Sequence, residues 1–419
     1  MENLQVYKFG GASVKDAAAI LNLQKIVQMH QGPLLIVVSA MGKTTNALEE
    51  IYDLAYRGEE YRLKLGELEE FHRTVAGALL EAWEVDIVLN EYLDELRQHL
   101  RQIQLAPADY DQQYDQVVSY GELLSSRIVA WALGTNWQDS RGLIRTDQTW
   151  REARVNWADT EAALWGMLRT KGGPPMAQVP VVTQGFIGQA SDGRTTTLGR
   201  EGSDYTAAIL AYCLRAESVT IWKDVPGLLN ADPKIFPDTV RYSEISYRET
   251  IEMAYYGASV IHPKTLKPLA DRGIPLRVKS FLDPEAPGTL IHDCQHPTLA
   301  PAYIRKTDQC LLSFSSKDFA FVSEENLEVI FGALAQAKLK INVMQNSAIS
   351  FSVCTDFSER RVNLLLDLLR EQFTLHYNTG LTLFTIKNYT PASLAQLTVG
   401  KHLLLEQRTR NTFQFVCTA

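Results

Sequence analysis

The chain contains no C-x-x-C pair, no block of basic residues and no apolar run that approaches the ~20 residues of a membrane span. Its five cysteines, Cys213, Cys294, Cys310, Cys354 and Cys417, are scattered and odd in number. They read as free thiols in a reducing compartment, not as a disulfide or zinc framework. A formal net charge of −8 without a basic patch argues against nucleic acid as a partner. Met1, Glu2 and Asn3 lead straight into a strand pattern without a signal peptide, so the expected location is the cytoplasm and no membrane partner is expected. The remaining composition, 46% hydrophobic and 21% charged, is that of an ordinary globular protein. At 419 residues the chain exceeds the usual size of one core, and two or more domains are expected.

Strand-like and helix-like runs alternate over the first 300 positions. A strand at 5–9 is followed by Gly10, Gly11, Ala12 and Ser13, then by a helix over 14–30 with Ser13 as its expected N-cap. The continuous apolar run 34–38 marks a strand buried on both faces. It leads into Gly42, Lys43 and Thr44, which imitate the end of a Walker A loop, but that motif needs a glycine where Val37 stands. Positions 59–115 form a long, charged helical excursion with Trp83, Leu89, Leu93, Leu96, Leu100 and Ile103 on one side. Within it Asp109, Asp111 and Asp115 lack the spacing of a calcium loop and read as a solvated loop. Gly121 and Glu122 precede a helix over 123–132, and further strands are expected at 143–146, 181–184, 218–224 and 276–280. His262 beside Pro263 has no second ligand at metal spacing and reads as structural.

The stretch from Gly193 to Asp204 lies between a β-type run and a helix-type run over 205–216. Its glycines allow close backbone approach to a ligand, and the helix start offers unpaired N–H groups to an anion. Ser203 and Asp204 are the expected N-cap residues. The same arrangement recurs: Lys8 ends a strand before Gly10 and Gly11, the 39–45 segment leads from a strand into a helix, and Lys223 and Asp224 end another strand. In a mostly parallel sheet covered by helices, such strand ends converge on one edge, where ligands bind. The converging set holds anion cradles, lysines, an arginine and carboxylates, but no nucleophilic triad and no metal cluster. That inventory fits phosphoryl transfer, which needs in-line positioning and cations more than covalent help.

Pro284, Pro287, Gly288, Pro297 and Pro301 break regular structure and put a domain boundary near 300. Beyond it, a strand-helix-strand-strand-helix order over 311–373 and a second, shorter set over 381–417 suggest two small α+β units in a row, with the second cut short at Ala419.

Lys8-Phe9-Gly10-Gly11-Ala12-Ser13-Val14, the stretch from Thr195 to Asp204, and Trp222-Lys223-Asp224-Val225-Pro226-Gly227 together resemble the aspartate kinases of the amino-acid kinase superfamily, which carry regulatory ACT domains. The resemblance covers nearly the whole chain. It implies an amino-acid kinase fold over 1–300 and a tandem ACT-like region over 301–419. It also implies transfer of the γ-phosphoryl of MgATP to the β-carboxylate of L-aspartate, the first step toward lysine, threonine and methionine. Carried onto matching positions, Lys8 meets the transferring phosphoryl group and Asp204 organises Lys8. Thr45, Glu122, Arg200 and Ser203 hold aspartate, with Glu122 suited to its ammonium and Arg200 to its α-carboxylate. Gly10, Gly11, Ser13, Lys223, Asp224, Asp232 and Lys234 serve ATP, and Mg²⁺ is held chiefly by phosphate and water, with no metal ligands assigned in the chain.

Three positions depart from the commoner pattern. Ala12 replaces a hydroxyl residue, Glu201 stands at a usual glycine and adds negative charge near the phosphates, and Ser259 stands where some members place a lysine on the nucleotide, a cation that Lys223 or Lys264 would have to supply. In the C-terminal part the stretch from Lys340 to Ser347 matches the strand and turn with which ACT domains hold an amino acid. Asn342 and Ser347 are therefore the expected contacts for a lysine or threonine effector, and a homodimer through the ACT units is expected. The alternatives are a related kinase for another acidic substrate, such as glutamate, and a catalytically silent amino-acid sensor.

Overall fold

The computed structural model describes residues 3–169, 179–258, 261–296, 299–317 and 321–418. They form two compact units. The first takes 1–228, 241–251 and 260–295, and the second takes 229–240, 252–259 and 296–419. The boundary expected near 300 thus falls close to the end of the first unit, but two earlier segments also belong to the second.

The first unit is built on strands β1 (Gln5–Phe9), β2 (Leu34–Val38), β3 (Asn136–Gln138), β4 (Arg145–Thr146), β5 (Val181–Gln184), β6 (Ile187–Ala190), β7 (Thr195–Thr197), β8 (Ser218–Lys223), β9 (Glu244–Ser246), β10 (Leu276–Ser280) and β11 (Thr289–His292). Eight of them make one sheet in the order β3-β5-β2-β1-β8-β10-β11-β9. It is parallel throughout except where β10 meets β11. All five residues of β2 are buried, as a strand covered on both faces requires. Strands β4, β6 and β7 form a separate small sheet, so the β-type run before the Gly193 loop is two strands in different sheets. In that small sheet β6 and β7 are antiparallel, and the expected simple turn is a hairpin.

Helices α1 (Ala17–Gln28), α2 (Thr44–Tyr56), α3 (Arg62–Gly77), α4 (Ala82–Leu105), α5 (Tyr110–Val118), α6 (Tyr120–Ala132), α7 (Trp157–Arg169), α8 (Gly202–Leu214), α9 (Tyr247–Tyr256) and α10 (Pro263–Asp271) complete the series. The excursion is α3, α4 and α5, whose Leu89, Leu93, Leu96, Leu100 and Ile103 join the core that also holds Phe9 and Val38. Trp83, read as part of that stripe, is 62% exposed, because it stands at the outer edge of the first turn of α4.

Three helix starts differ from expectation. Asp16, not Ser13, caps α1 by accepting from Ala19 N at 2.8 Å, because a 3-10 turn over Gly11–Val14 intervenes. Helix α6 already begins at Tyr120, so Gly121 and Glu122 lie in its first turn and follow a helix, not a strand. Helix α8 begins at Gly202, with Glu201 as N-cap in the left-handed conformation, which places Ser203 and Asp204 inside the helix.

The second unit is a six-stranded antiparallel sheet of β12 (Ala302–Ser316), β13 (Ile341–Asn346), β14 (Ser350–Asp356), β15 (Phe373–Lys387), β16 (Leu403–Arg408) and β17 (Thr412–Thr418), in the order β13-β14-β12-β15-β17-β16. Helices α11 (Glu324–Gln336), α12 (Glu359–Leu369) and α13 (Pro391–Thr398) accompany it. The two α+β sets are not strung one after the other. Strands β12 and β15 pair along their whole lengths, from Ala302 opposite Lys387 to Ser316 opposite Phe373, with register shifts near Gln309 that divide the sheet into two halves.

Gly185, between β5 and β6, lies against the first turn of α8. A Cβ there would stand 2.5 Å from Ser203 Cβ and 2.8 Å from Ser203 Cα. The substitution Gly185→Ala is therefore expected to push α8 outward and destabilise the first unit by about 1–3 kcal/mol, the usual cost of overpacking. Thermal unfolding measures it, and an unchanged midpoint would show that the helix start yields freely.

Candidate active site

The carboxyl ends of β1, β2 and β8 and the first turns of α2, α6 and α8 surround a cavity of about 690 Å³ in the first unit. It is lined by Lys8, Thr45, Glu122, Arg200, Ser203, Asp204 and Lys223, among others. Such a position, outside the carboxyl ends of parallel strands, is where α/β sheets bind ligands.

Asp204 is the centre of the arrangement. It is 3% exposed, and its Oδ1 lies 2.6 Å from Lys8 Nζ while its Oδ2 lies 3.6 Å from Lys223 Nζ. Burial alone would raise its carboxyl, but the two ammonium groups outweigh it and hold the group below the usual carboxylate range. Lys8 is brought there by the parallel register, which sets it opposite Val37 on β2 and Ile221 on β8. Asp204 is brought there by its place in the first turn of α8, where the helix dipole favours an anion.

Glu122 forms a second buried carboxylate. Its Oε1 accepts from Ala40 N at 3.1 Å, and Ser125 Oγ donates to Ser39 O at 2.7 Å, so the first turns of α6 hold the loop after β2. Its Oε2 is buried and has no hydrogen-bond partner among the described residues. Burial pushes its carboxyl up to about 8, against the weaker pull of the Ala40 N–H and Lys8. A buried acceptor without a donor, on the wall of a cavity, is prepared for a ligand that brings one.

The facing wall holds a residue that the sequence reading misplaced. Asp115 is fully buried, not solvated. It accepts from Thr197 N at 2.9 Å, from Thr197 Oγ1 at 2.8 Å and from Arg151 N at 3.1 Å. Burial raises its carboxyl in spite of these donors. The signal was its place three residues before Val118, on the buried face of α5. Asp109 caps the same helix by accepting from Gln112 N at 2.9 Å, and Asp111 lies 3.3 Å from the Arg151 guanidinium. That guanidinium stacks over the Tyr114 ring, 4.0 Å from its centroid. Arg151, Phe186 and Glu201 all line the cavity with φ near +60° (68°, 68° and 54°), a strained state for residues with a side chain. Three of the eight such residues among those described therefore sit in one wall, as strain at functional sites does.

The remaining expected residues divide. Gly11 lines the cavity, and a Cβ on Gly10 would lie 3.5 Å from Lys8 Nζ. Ser13 is buried within the 3-10 turn and does not line the cavity, nor does the exposed Asp224. Asp232 and Lys234 are exposed residues of the second unit, with Asp232 Oδ1 accepting from Lys234 N at 2.9 Å. Also in the second unit, Asn342 is already engaged: it accepts from Lys306 Nζ at 2.9 Å and donates to Gln309 Oε1 at 2.8 Å and Asp356 Oδ1 at 3.0 Å. Ser347 lies on an exposed turn, 2.9 Å from Ser350 Oγ. Ala12 is exposed, and Ser259 lies outside the described residues.

Glu201 lines the cavity, and its Oε2 is tethered there by accepting from His262 N at 2.8 Å. His262 in turn caps α10, its Nδ1 accepting from Lys264 N at 3.2 Å, which agrees with a structural histidine. Lys264 Nζ donates to Leu198 O at 2.7 Å. Among the described residues no group of three His, Cys, Asp or Glu is placed to hold a metal ion, and no helix is long and apolar enough to cross a membrane.

Residues 3–280 match the amino acid kinase family. Over 364 residues the chain is 35% identical to the lysine-sensitive aspartokinase 3 of Escherichia coli, a match that spans 85% of this chain and 79% of that protein. The crystal structure of E. coli aspartokinase III with aspartate and ADP is similar at a TM-score of 0.81 and 28% identity, covering 99% of this chain and 96% of that one. The structure of the same enzyme with lysine and aspartate also gives 0.81, at 29% identity, covering 99% and 95%. Sequence, fold and a cavity that pairs lysines with a buried carboxylate agree: this chain belongs to the amino acid kinase family and, within it, to the aspartokinases.

Proposed function

We infer that this chain transfers the γ-phosphoryl of ATP to the β-carboxylate of L-aspartate, giving 4-phospho-L-aspartate and ADP, the first step toward lysine, threonine and methionine. The observation that carries the reading is the single cavity in which Lys8 and Lys223 flank Asp204 while Glu122 and Arg200 line the same space. A carboxylate oxygen of aspartate forms the new bond to phosphorus as the bond to the bridging oxygen of ADP breaks. The nucleophile is already ionised at neutral pH, so no general base is required. This suits a site whose central carboxylate is held between two ammonium groups and has no proton to take.

Lys8 meets the equatorial oxygens of the transferring group, and Asp204 orients it. Lys223 lies toward the nucleotide phosphates, and Gly10 and Gly11 leave the backbone room to approach them. Glu122 takes the ammonium of aspartate on its unpartnered Oε2, Arg200 takes the α-carboxylate, and Thr45 and Ser203 add hydroxyl contacts. The nucleotide roles of Ser13, Asp224, Asp232 and Lys234 rest on the family resemblance alone. Mg²⁺ would neutralise phosphate charge, held chiefly by phosphate oxygens and water.

The second unit serves in this reading as the regulatory part, which dimerises and takes lysine or threonine. Its E. coli relative is named lysine-sensitive. Binding through Asn342 requires Lys306 to give way. The cytoplasm suits the substrates.

Trapping the acyl phosphate with hydroxylamine tests the reaction. Hydroxamate is expected from aspartate and not from glutamate, and added lysine or threonine should lower it; no product from either acid overturns the reading. Lys8→Ala should lower kcat by roughly 10²–10³, as loss of one donor to developing charge does. An equal loss in aspartate binding would count against the role given to Lys8.

Glu122 predicts a pH dependence. With its carboxyl raised from 4.5 to about 8 in the free site, it carries a proton at neutral pH that the substrate ammonium must displace. KM for aspartate should fall up to about tenfold per unit as pH rises from 6 toward 8, then level off. Glu122→Gln should flatten that slope. The same raised value means the folded state holds a proton that the unfolded chain loses, so this group lowers stability as pH climbs from 4.5 to about 8 and not below that range. Calorimetry at pH 7 in buffers of different ionisation enthalpy should register close to one proton released per aspartate bound, and none released would remove Glu122 from this role.

A further inference from the structure

We propose that Glu201 and Lys264 act as a two-point staple that fixes Arg200 in the substrate cavity; the proposal rests on the aspartate kinase reading. The arm from Thr197 to Glu201 connects β7 to α8 and carries Arg200. It is held on each side of that residue. Upstream, Lys264 Nζ donates to Leu198 O at 2.7 Å, and Thr197 is fixed by Asp115. Downstream, the Glu201 carboxylate accepts from His262 N at 2.8 Å. Both contacts reach the same short segment at the start of α10, and His262 Nδ1 accepting from Lys264 N ties that segment to itself. Lys264 is half-buried, and its ammonium lies 5.6 Å from the centroid of the Tyr205 ring, so it is held in place from two directions.

The need for such a staple is visible in the surroundings of Arg200. A second cavity, of about 350 Å³, lies behind the arm and is lined by Glu152, Leu198, Tyr205, His262 and Lys264. Arg200 lines both cavities. A guanidinium on a long flexible stem that borders two spaces is directed by its backbone, and the carboxylate Glu152, which also borders both, offers it an alternative partner. The conformation of Glu201 supports the same conclusion. At φ 54° and ψ 29° it sits where glycine is at ease and a side chain is not. A glutamate there is accounted for by its carboxylate, which makes the downstream tether. Lys264 does not line the substrate cavity, so its effect on aspartate is indirect, and the arm is the segment to which its ammonium is hydrogen-bonded.

The test uses the full chain with Lys264→Met, Glu201→Gly and Glu201→Gln. Lys264→Met and Glu201→Gly should each raise KM for aspartate about tenfold while kcat and KM for ATP change less than about twofold. Glu201→Gly relieves the backbone strain, so its unfolding midpoint should hold or rise, which separates loss of the tether from loss of stability. Glu201→Gln keeps an oxygen acceptor for the His262 N–H and should stay near wild type in KM. Hydrogen exchange should quicken at the amides of 198–201 in the first two variants only. If both variants keep the wild-type KM and exchange, or if kcat and KM for ATP change as much as KM for aspartate, the staple is wrong. Should Lys264→Met fail to fold, Glu201→Gly carries the test alone. Wild-type protein that makes no hydroxamate from aspartate defeats the assigned reaction instead, and exchange at 198–201 then decides the staple by itself.

Discussion

The first unit depends on one buried carboxylate. Asp204 lies almost wholly out of solvent with Lys8 and Lys223 on its two oxygens. Desolvating three charges is expensive, and a buried pair contributes little net stability compared with apolar packing. What it contributes is position. Asp204 belongs to a helix, Lys8 to the central strand β1 and Lys223 to its neighbour β8, so the triad is satisfied only when all three elements meet in register. Removing one partner leaves an uncompensated charge, a penalty of roughly 3–5 kcal/mol in comparable pairs. A site with this construction tolerates little drift, which phosphoryl transfer requires, because positioning supplies most of its catalysis.

Around that centre the two walls are built differently. The wall from α6 is held by hydrogen bonds to the loop after β2, through Glu122 on Ala40 N and Ser125 on Ser39 O. The opposite wall is made of loops in unfavourable backbone states, Arg151, Phe186 and Glu201, each fastened from outside the cavity. Asp115 holds Arg151 N, Thr206 Oγ1 accepts from Phe186 N at 2.9 Å, and His262 N donates to Glu201. Every strained residue has its own tether, as persistence of such conformations demands.

Much of this was legible in the sequence. The strands 5–9, 34–38, 181–184 and 276–280 have the bounds that the sequence pattern assigns them. Lys8, Thr45, Glu122, Arg200, Ser203, Asp204 and Lys223, widely separated in the chain, line one cavity. What was hidden shares a physical cause: it depends on partners distant in sequence. The start of α8 depends on Glu201 adopting a left-handed state that a remote N–H supports. The burial of Asp115 depends on donors at 151 and 197. The continuity of β12 and β15 is a matter of long-range pairing, which local alternation cannot specify. Helix α10 was missed for a local reason, since Pro268 lies inside it and reads as a breaker.

The formal charges of the cavity also mislead when they are only counted. Lys8, Arg151, Arg200 and Lys223 face Glu49, Glu122, Glu152, Glu201 and Asp204, an acidic excess that is unsuited to a site for two anions. The hydrogen bonds reverse that impression. Glu122, with its carboxyl pushed up to about 8 by burial, is largely neutral at pH 7. Asp204 is bound between two lysines, the Glu201 carboxylate is taken by a backbone N–H, and Glu49 accepts from the Tyr114 hydroxyl. Four of these five acids, all but Glu152, are thus either uncharged or turned toward donors of the protein itself. A chain with a net charge of −8 can in this way keep an attractive site for aspartate and a nucleotide, because the local field is set by which carboxylates are already answered and not by how many there are.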